Sequence, residues 1–196
     1  NWKDRDVDYF KGMHADTLKM GLEPKSTTYL IYTGPFAYKI RNRLNFYAME
    51  KMLSIRLNET IREKIGGVYS IGAYGWKVKY PNQSYVFIIS FNSDPERQEE
   101  IIEAIEQEIE NLKENGLGQS YLDKVNKQML QEYQEEYQTN DFWLSTFQFY
   151  DRIKEPYSNI YRVEQLHQQR TLKEIVNLAR KTFIKKNYML LTHLPE

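Results

Sequence analysis

Runs of β-branched and aromatic residues between turn residues predict the strands of this chain. The clearest run is residues 27–33, which stops at Gly34-Pro35, a pair typical of a turn. Two later runs are separated only by residues around Pro81-Asn82-Gln83, which predicts a hairpin. The strands predicted from this pattern are residues 16–20, 27–33, 68–79, 84–90 and 188–192.

Apolar residues at steps of three and four predict a long helix from about Arg41 to Lys64. Gly66-Gly67 is expected to end it, because glycine adopts a left-handed C-terminal conformation without a Cβ penalty. The spacing contains one irregular step, between Ile55 and Ile61. The predicted buried stripe consists of Leu44, Ala48, Met52, Ile55, Ile61 and Ile65.

Further helices are predicted between the hairpin and the last strand. Asp94-Pro95 opens the next one, with Asp94 as the N-cap and a proline whose missing N–H costs nothing at the first position. Its stripe of Ile101, Ile105, Ile109 and Leu112 is predicted to be buried, and Gly116 to close it. The helices expected after it cover residues 120–138, 140–153, 163–169 and 172–181.

The order of these elements predicts the fold class. A strand is followed by a long helix, a hairpin, grouped helices and a final strand, which is typical of an α+β two-layer sandwich. We expect a mostly antiparallel sheet with helices on one face. With 196 residues and no long linker, the chain is predicted to form a single domain, residues 1–196.

Composition excludes several classes of function. The 27 Lys and Arg balance the 27 Asp and Glu, whereas proteins held to nucleic acid or to anionic membranes usually carry a basic excess. The absence of cysteine excludes disulfides, thiolate metal sites and a cysteine nucleophile. No run reaches the roughly 18 apolar residues of a membrane span. No signal-type segment begins the chain, and the missing initiator Met predicts a piece of a longer protein.

No residue pattern forms a complete catalytic site. His14, His167 and His193 lie too far apart in sequence for a paired-histidine zinc motif. His14 and Asp16 should share one face of a strand as ordinary surface residues, and His167 is expected on an exposed helix among glutamines. There is no Gly-x-Ser-x-Gly elbow, and the glycines after residue 65 follow a helix, the reverse of a phosphate-binding loop.

The segment from Leu57 to Ala73 carries the strongest candidate site. Arg62 is predicted in the last turn of the long helix and Tyr69 on the strand that follows the glycine turn. A guanidinium and a phenol at one edge of the sheet could both donate hydrogen bonds to carbonyl or carboxylate oxygens of a ligand. In the alternative, Arg62 complements the negative helix end together with Glu59, and Tyr69 packs in the sheet.

This segment resembles the C-terminal half of the pitrilysin/insulinase-like zinc peptidases, which include relatives of the mitochondrial processing peptidase. Their helix ends in the pattern matched here by Leu57, Arg62, Glu63, Gly66 and Tyr69. The likeness spans roughly residues 10–195. Gly21-x-Glu23-Pro24-Lys25-Ser26 and Gly34-Pro35 are similar to the bacterial, periplasmic branch of the family. The helix start Asp94-Pro95-Glu96 falls where the family begins its helix after the hairpin.

The resemblance implies the last of four homologous domains of a zinc metalloendopeptidase. Zinc would be held by a His-x-x-Glu-His motif and a distal Glu in the N-terminal half, and no metal ligand would come from this chain. Arg62 would bind the peptide backbone. Tyr69 would donate to the scissile carbonyl and stabilise the oxyanion, with Gly66 and Gly67 setting the turn between them.

The resemblance also implies partners and a compartment, and it leaves alternatives. The partners would be a peptide or small protein substrate and the N-terminal catalytic half, with no nucleic acid and no membrane span, and the compartment would be periplasmic. The isolated fragment is expected to be inactive. The main alternative is a catalytically inactive partner or scaffold subunit of the same family. A free-standing binding module unrelated to proteolysis is a further alternative.

Overall fold

A five-stranded sheet with helices packed on one face organises the molecule. The computed structural model describes residues 8–19, 21 and 24–196. The strand order is β1-β5-β2-β4-β3; β1 runs parallel to β5 and every other neighbouring pair is antiparallel. The strands are β1 Gly12–Lys19, β2 Ser26–Pro35, β3 Val68–Val78, β4 Ser84–Ser93 and β5 Asn187–Leu194. The predicted α+β class and mostly antiparallel sheet are confirmed.

All five strands differ from their predicted bounds, and β1 and β4 show the largest shift of one end. The strand expected at residues 16–20 begins at Gly12, and Met20 lies outside the described residues, as does Glu23 of the family-like segment. The hairpin strand expected to stop at Ser90 continues to Ser93. Both extensions are fixed by pairing with distant strands, which a local pattern does not contain.

The part of the chain that the structure describes contains six α-helices. They are α1 Ile40–Leu57, α2 Gln98–Asn115, α3 Gln119–Glu136, α4 Asn140–Ile153, α5 Val163–Gln168 and α6 Leu172–Thr182. Gly116 ends α2 in the left-handed conformation, as predicted. Within the described residues, no helix is both long enough and apolar enough to span a membrane.

The predicted long helix is two structures in series. It is an α-helix only to Leu57 and continues as a π-helical segment, Asn58–Ile65, hereafter the π segment. Its wider turns use i→i+5 hydrogen bonds, such as the 2.9 Å bond from Gly66 N to Ile61 O. This change of period explains the irregular step in the sequence. It also corrects the predicted stripe: Ile65 is exposed, while Leu57 is buried.

Polar side chains satisfy carbonyls of the last α-helical turn before the π segment. Asn58 Nδ2 donates to Ser54 O at 2.9 Å, and Thr60 Oγ1 donates to Arg56 O at 2.7 Å. Asn58 Nδ2 also reaches Ile71 O on β3 at 3.5 Å. Ser54 O also accepts the backbone N–H of Asn58, so the side-chain bond there is an additional contact at the start of the π segment.

The core lies between the sheet and the helices. Alternate residues of β4 point into it, and the even-numbered ones lie on the opposite face and are only half-buried. Fully buried side chains from strands and helices close this core, among them Leu30, Phe46, Met49, Met52, Leu53, Phe87, Ile89, Phe91, Ile101, Ile105, Leu112, Leu122 and Val125.

Candidate functional site

Tyr69 is the extra residue of a β-bulge at the start of β3. Val68 pairs with Ser93 and Ser70 pairs with Asn92, so two adjacent residues of β4 pair with residues that are two apart on β3. A bulge leaves its extra residue outside the ladder and redirects its side chain. The ring of Tyr69 is 53% exposed, so it is not packed inside the sheet as the structural alternative required.

The Tyr69 hydroxyl is hydrogen-bonded to the carboxylate of Asp94. It donates to Asp94 Oδ1 at 2.7 Å, and Lys25 Nζ lies 5.3 Å from the centre of the Tyr69 ring. The hydrogen bond to Asp94 raises the pKa of Tyr69, because it stabilises the protonated phenol. Asp94 was predicted to cap a helix, but it precedes a short 3₁₀ turn, Pro95–Arg97, and its side chain makes no capping bond.

Arg62 lies in the π segment directly after the buried Ile61, and its side chain is exposed. Within the described part of the chain no hydrogen bond or ion pair holds it. Glu59, its partner in the structural alternative, instead accepts a hydrogen bond from Tyr121 Oη and lies 3.5 Å from Lys124 Nζ. The bond from Tyr121 lowers the pKa of Glu59. The guanidinium of Arg62 is therefore available to an external ligand.

The turn between the two candidate residues depends on both glycines. Gly66 and Gly67 have φ values of 70° and 73°, a region that side-chain-bearing residues rarely adopt. A Cβ on Gly67 would also lie 2.0 Å from Nη1 of Arg97, whereas nothing lies within 4 Å of a Cβ on Gly66. The turn leads directly from the segment of Arg62 to the edge strand of Tyr69. The structure places the two side chains in neighbouring elements, without a direct contact among the described residues.

Concave surfaces lie elsewhere on the molecule. A cavity of about 680 Å³ is bordered by Lys11, Tyr85, Lys181 and Lys186, and neither Arg62 nor Tyr69 lines it. The candidate residues therefore stand on an open surface. Such a surface can bind a ligand tightly only if another part of the protein closes over it.

The histidines form no metal site. His14 Nε2 is hydrogen-bonded to Lys11 O at 2.7 Å, and the ring of His193 packs edge-on against Tyr29. His167 was expected on an exposed surface, and this is wrong: it is 3% exposed and contacts Arg170. Across residues 8–19, 21 and 24–196, no cluster of three or more His, Asp or Glu side chains could hold a metal ion.

Sequence reasoning did not identify the contact between Asp94 and Tyr69. In the sequence, this contact is indicated only by the predicted hairpin, whose strands flank residues 81–83. Extending both strands evenly from that turn brings residues near 69 and 94 to the same end. The predicted end at Ser90 concealed this, because Asn92 and Ser93 are polar residues that the strand pattern did not include.

The comparisons with known proteins point to one family. The model of the Peptidase M16 inactive domain matches residues 3–129, more than half of the chain. Comparison with curated proteins gives no significant match.

Three solved structures illustrate the fold. The periplasmic protease PqqL of Escherichia coli superposes with a TM-score of 0.83 at 16% identity, over 95% of this chain and 21% of that chain. A protease from Helicobacter pylori gives 0.81 at 16% identity, over 100% of this chain and 48% of that one. A protein of Bordetella pertussis Tohama I assigned as a zinc protease gives 0.68 at 13% identity, over 90% and 98% of the two chains.

At these identities the structures show a shared fold, and the chain spans only about a fifth of PqqL. The family model rests on the sequence itself and covers the segment from Leu57 to Tyr69 that carries the motif. The chain belongs to the family of inactive domains of M16 peptidases.

Proposed function

We propose that this chain is the last domain of a zinc metalloendopeptidase and that it binds the peptide substrate opposite a zinc site in the N-terminal half. The observation that carries the proposal is the pair of exposed donors, Arg62 and Tyr69, on either side of the Gly66-Gly67 turn in a chain of the M16 inactive-domain family. The lack of a metal cluster among the described residues supports a division of labour with another domain.

Arg62 is suited to hold the peptide backbone. Its guanidinium has five N–H donors in a fixed plane and, within the described residues, no acidic partner that would compete for them. Peptide carbonyls present acceptors at regular intervals along an extended strand. An unpaired guanidinium at the edge of the sheet can therefore fix the substrate without first breaking an ion pair of the resting protein.

Tyr69 is suited to stabilise the oxyanion that forms when water adds to the scissile carbonyl. A neutral phenol donates one hydrogen bond, and a donor placed where negative charge develops contributes more in the transition state than in the ground state. Zinc, supplied by the N-terminal half, would activate the attacking water and polarise the carbonyl. The catalytic residue contributed by this chain is therefore Tyr69.

In this proposal, the exposed face of the sheet lies opposite the preceding domains. The face of the sheet away from the helices carries half-exposed apolar side chains, including Tyr74, Trp76 and Val78. It would line a chamber closed by the preceding domains, with a peptide or small protein as substrate. Similarity to PqqL, a periplasmic protease, supports a periplasmic location. The chain covers about half of the Helicobacter protease, which supports a partner half of similar size.

The test is substitution of Tyr69 by Phe in the full-length protein. Loss of a single donor that acts on the oxyanion should lower kcat about 100-fold with little change in KM. Arg62→Ala should raise KM, because it removes backbone binding in ground and transition states alike. Steady-state hydrolysis of a fluorogenic peptide measures both parameters.

Each residue has a matched control. Tyr161→Phe removes a hydroxyl from an exposed tyrosine away from the sheet, and Lys64→Ala removes an exposed cation from the same π segment. Both controls should leave kcat and KM near the wild-type values. An unchanged kcat for Tyr69→Phe in an active protein would refute the catalytic role. A full-length protein that takes up no zinc and cleaves no peptide would favour the inactive partner or scaffold subunit instead.

A further inference from the structure

The phenol proton of Tyr69 is already engaged in the structure. A tyrosine hydroxyl carries one proton, and that of Tyr69 is donated to Asp94 Oδ1 at 2.7 Å. While this bond exists, Tyr69 has no proton to donate to a substrate carbonyl. The proposed oxyanion contact therefore requires an exchange of partners at the Tyr69 oxygen.

Asp94 is held rigidly in place by its backbone. Its carbonyl oxygen accepts hydrogen bonds from Arg97 N and from Ser93 Oγ, both at 3.1 Å. Ser93 is fully buried, and its own carbonyl accepts a 3.0 Å bond from Ser26 Oγ on β2. The carboxylate thus projects from a fixed point at the end of β4. The Asp94 carboxylate makes no capping bond and instead accepts the hydrogen bond from the Tyr69 hydroxyl.

Tyr69, in contrast, has little else to fix it. As the extra residue of the bulge it lies outside the regular pairing of β3, and more than half of its surface is exposed. Lys25 lies over its ring, 5.3 Å from the centre. A side chain with so few packing contacts can turn toward a ligand at low cost once its hydrogen bond to Asp94 is broken.

We propose that Asp94 is a positioning residue that holds the Tyr69 hydroxyl in the unliganded protein and competes with the substrate for it. The inference rests on the proposed function of Tyr69. The substrate carbonyl must replace the carboxylate as acceptor, and Asp94 thereby restrains the reaction.

Removal of the carboxylate should therefore increase activity. An ordinary hydrogen bond corresponds to a factor of about two to ten in an equilibrium constant. We expect Asp94→Ala in the full-length protein to raise kcat/KM by about this factor, and Asp94→Asn to raise it less, because an amide oxygen still accepts from the phenol. Asp151→Asn, an exposed aspartate on α4 paired only with Lys154 among the described residues, is the matched control and should change nothing.

The same substitutions in a Tyr69→Phe background separate a role through Tyr69 from any other role. Without the hydroxyl, Asp94→Ala should have no effect on kcat/KM. An equal effect in both backgrounds, or a decrease in kcat/KM with Tyr69 present, overturns the inference. If Tyr69→Phe itself leaves kcat unchanged, the proposed function fails instead, so the two failures are distinguishable.

A titration provides a readout that does not depend on turnover. The difference in ultraviolet absorbance between the protein and its Tyr69→Phe variant, measured as the pH is raised, follows the ionisation of this one phenol. Asp94→Asn should move that titration to lower pH, because a neighbouring carboxylate favours the protonated phenol. An unmoved titration, with the fold intact by circular dichroism, would show that the hydrogen bond to Asp94 is not formed in solution and would overturn the proposal.

Discussion

At the scale of single residues, the buried group around Arg170 shows how a charge can be held without a carboxylate. Arg170 is 5% exposed and donates to Asn45 Oδ1, Asn126 Oδ1 and the carbonyl of Leu44. It also contacts Met129 Sδ at 3.8 Å and Nδ1 of His167 at 3.1 Å. Because Arg170 is always a donor, Nδ1 must accept, and the imidazole of His167 is neutral with its proton on Nε2. Burial lowers the pKa of Arg170 to about 10.

This arrangement predicts a dependence of stability on pH. Burial and the charge of Arg170 lower the pKa of His167 to about 4, from 6.5 in an unfolded chain. The unfolded chain therefore binds the proton more readily, so the stabilisation is complete above about pH 6.5 and is lost as the pH falls toward 4. Between about pH 7.5 and about pH 5, this one group should lower the free energy of unfolding by about 2 kcal/mol.

Urea unfolding of His167→Gln measures that contribution. Glutamine offers Arg170 an acceptor but takes up no proton, so the fall in stability over this pH range should be smaller than in the wild type. His14→Gln, at an exposed position of β1, is the control and should keep the wild-type dependence. An identical pH dependence in His167→Gln and the wild type would contradict the assigned neutral state.

At the scale of elements, a buried ion pair ties α4 to the rest of the molecule. Arg43 of α1 makes three hydrogen bonds to the carboxylate of Glu155, at 2.9, 3.1 and 3.1 Å, and both side chains are at most 15% exposed. Lys79, just after β3, lies 3.5 Å from the same carboxylate. One residue thus joins α1, the hairpin and the end of α4, beside a small separate core of Tyr150, Ile153 and Ile160.

We expect Glu155→Gln to destabilise the protein by roughly 3 kcal/mol, because it leaves the buried charge of Arg43 without its counterion. The exposed pair Asp151–Lys154, on the same helix end, provides the comparison: Asp151→Asn should cost less than about 1 kcal/mol. Denaturant unfolding of both variants measures the difference. If Glu155→Gln and Asp151→Asn both lose only a little unfolding free energy, the small core of Tyr150, Ile153 and Ile160, and not the ion pair, holds α4 in place.

The sequence predicts these elements better than it predicts their contacts. The stripe of Ile101, Ile105 and Ile109 and the glycine that ends α2 are local features, and all are confirmed. The π segment appeared only as an irregular step, because the spacing of apolar residues does not distinguish a change of helix type from an interrupted stripe. The parallel pairing of β1 with β5 joins residues some 175 positions apart, and no local pattern contains it.

At the candidate site, too, local features can be predicted from the sequence and tertiary contacts cannot. The Arg62 and Tyr69 motif and its glycine turn are consecutive in sequence and could be identified from it. The bulge that redirects Tyr69 and the hydrogen bond to Asp94 are set by the register of β3 on β4, which depends on tertiary pairing. The burial of His167 was missed for a related reason: its polar neighbours suggested solvent, and its partner Arg170 is placed by packing of α5 against α1 and α3.

At the scale of the whole molecule, the sheet is covered by helices on one face only among the described residues. Residues of the other face, such as Trp76 and Tyr74, are exposed by 48% and 40%. The chain also spans about a fifth of PqqL. The uncovered face is the surface that, in the proposed function, meets the preceding domains.

The proposed function predicts where zinc binds, in this chain or in the N-terminal half. Stable zinc sites need three or four protein ligands, and the described residues offer no such group. We expect the isolated chain, saturated with zinc and desalted, to retain only substoichiometric metal by elemental analysis and to hydrolyse no peptide. The full-length protein should retain about one zinc per chain. Chelation should abolish its activity, yet leave the unfolding temperature of the isolated chain unchanged. Stoichiometric zinc on the isolated chain, or a chelator-sensitive unfolding temperature, would contradict the division and place metal ligands within these 196 residues.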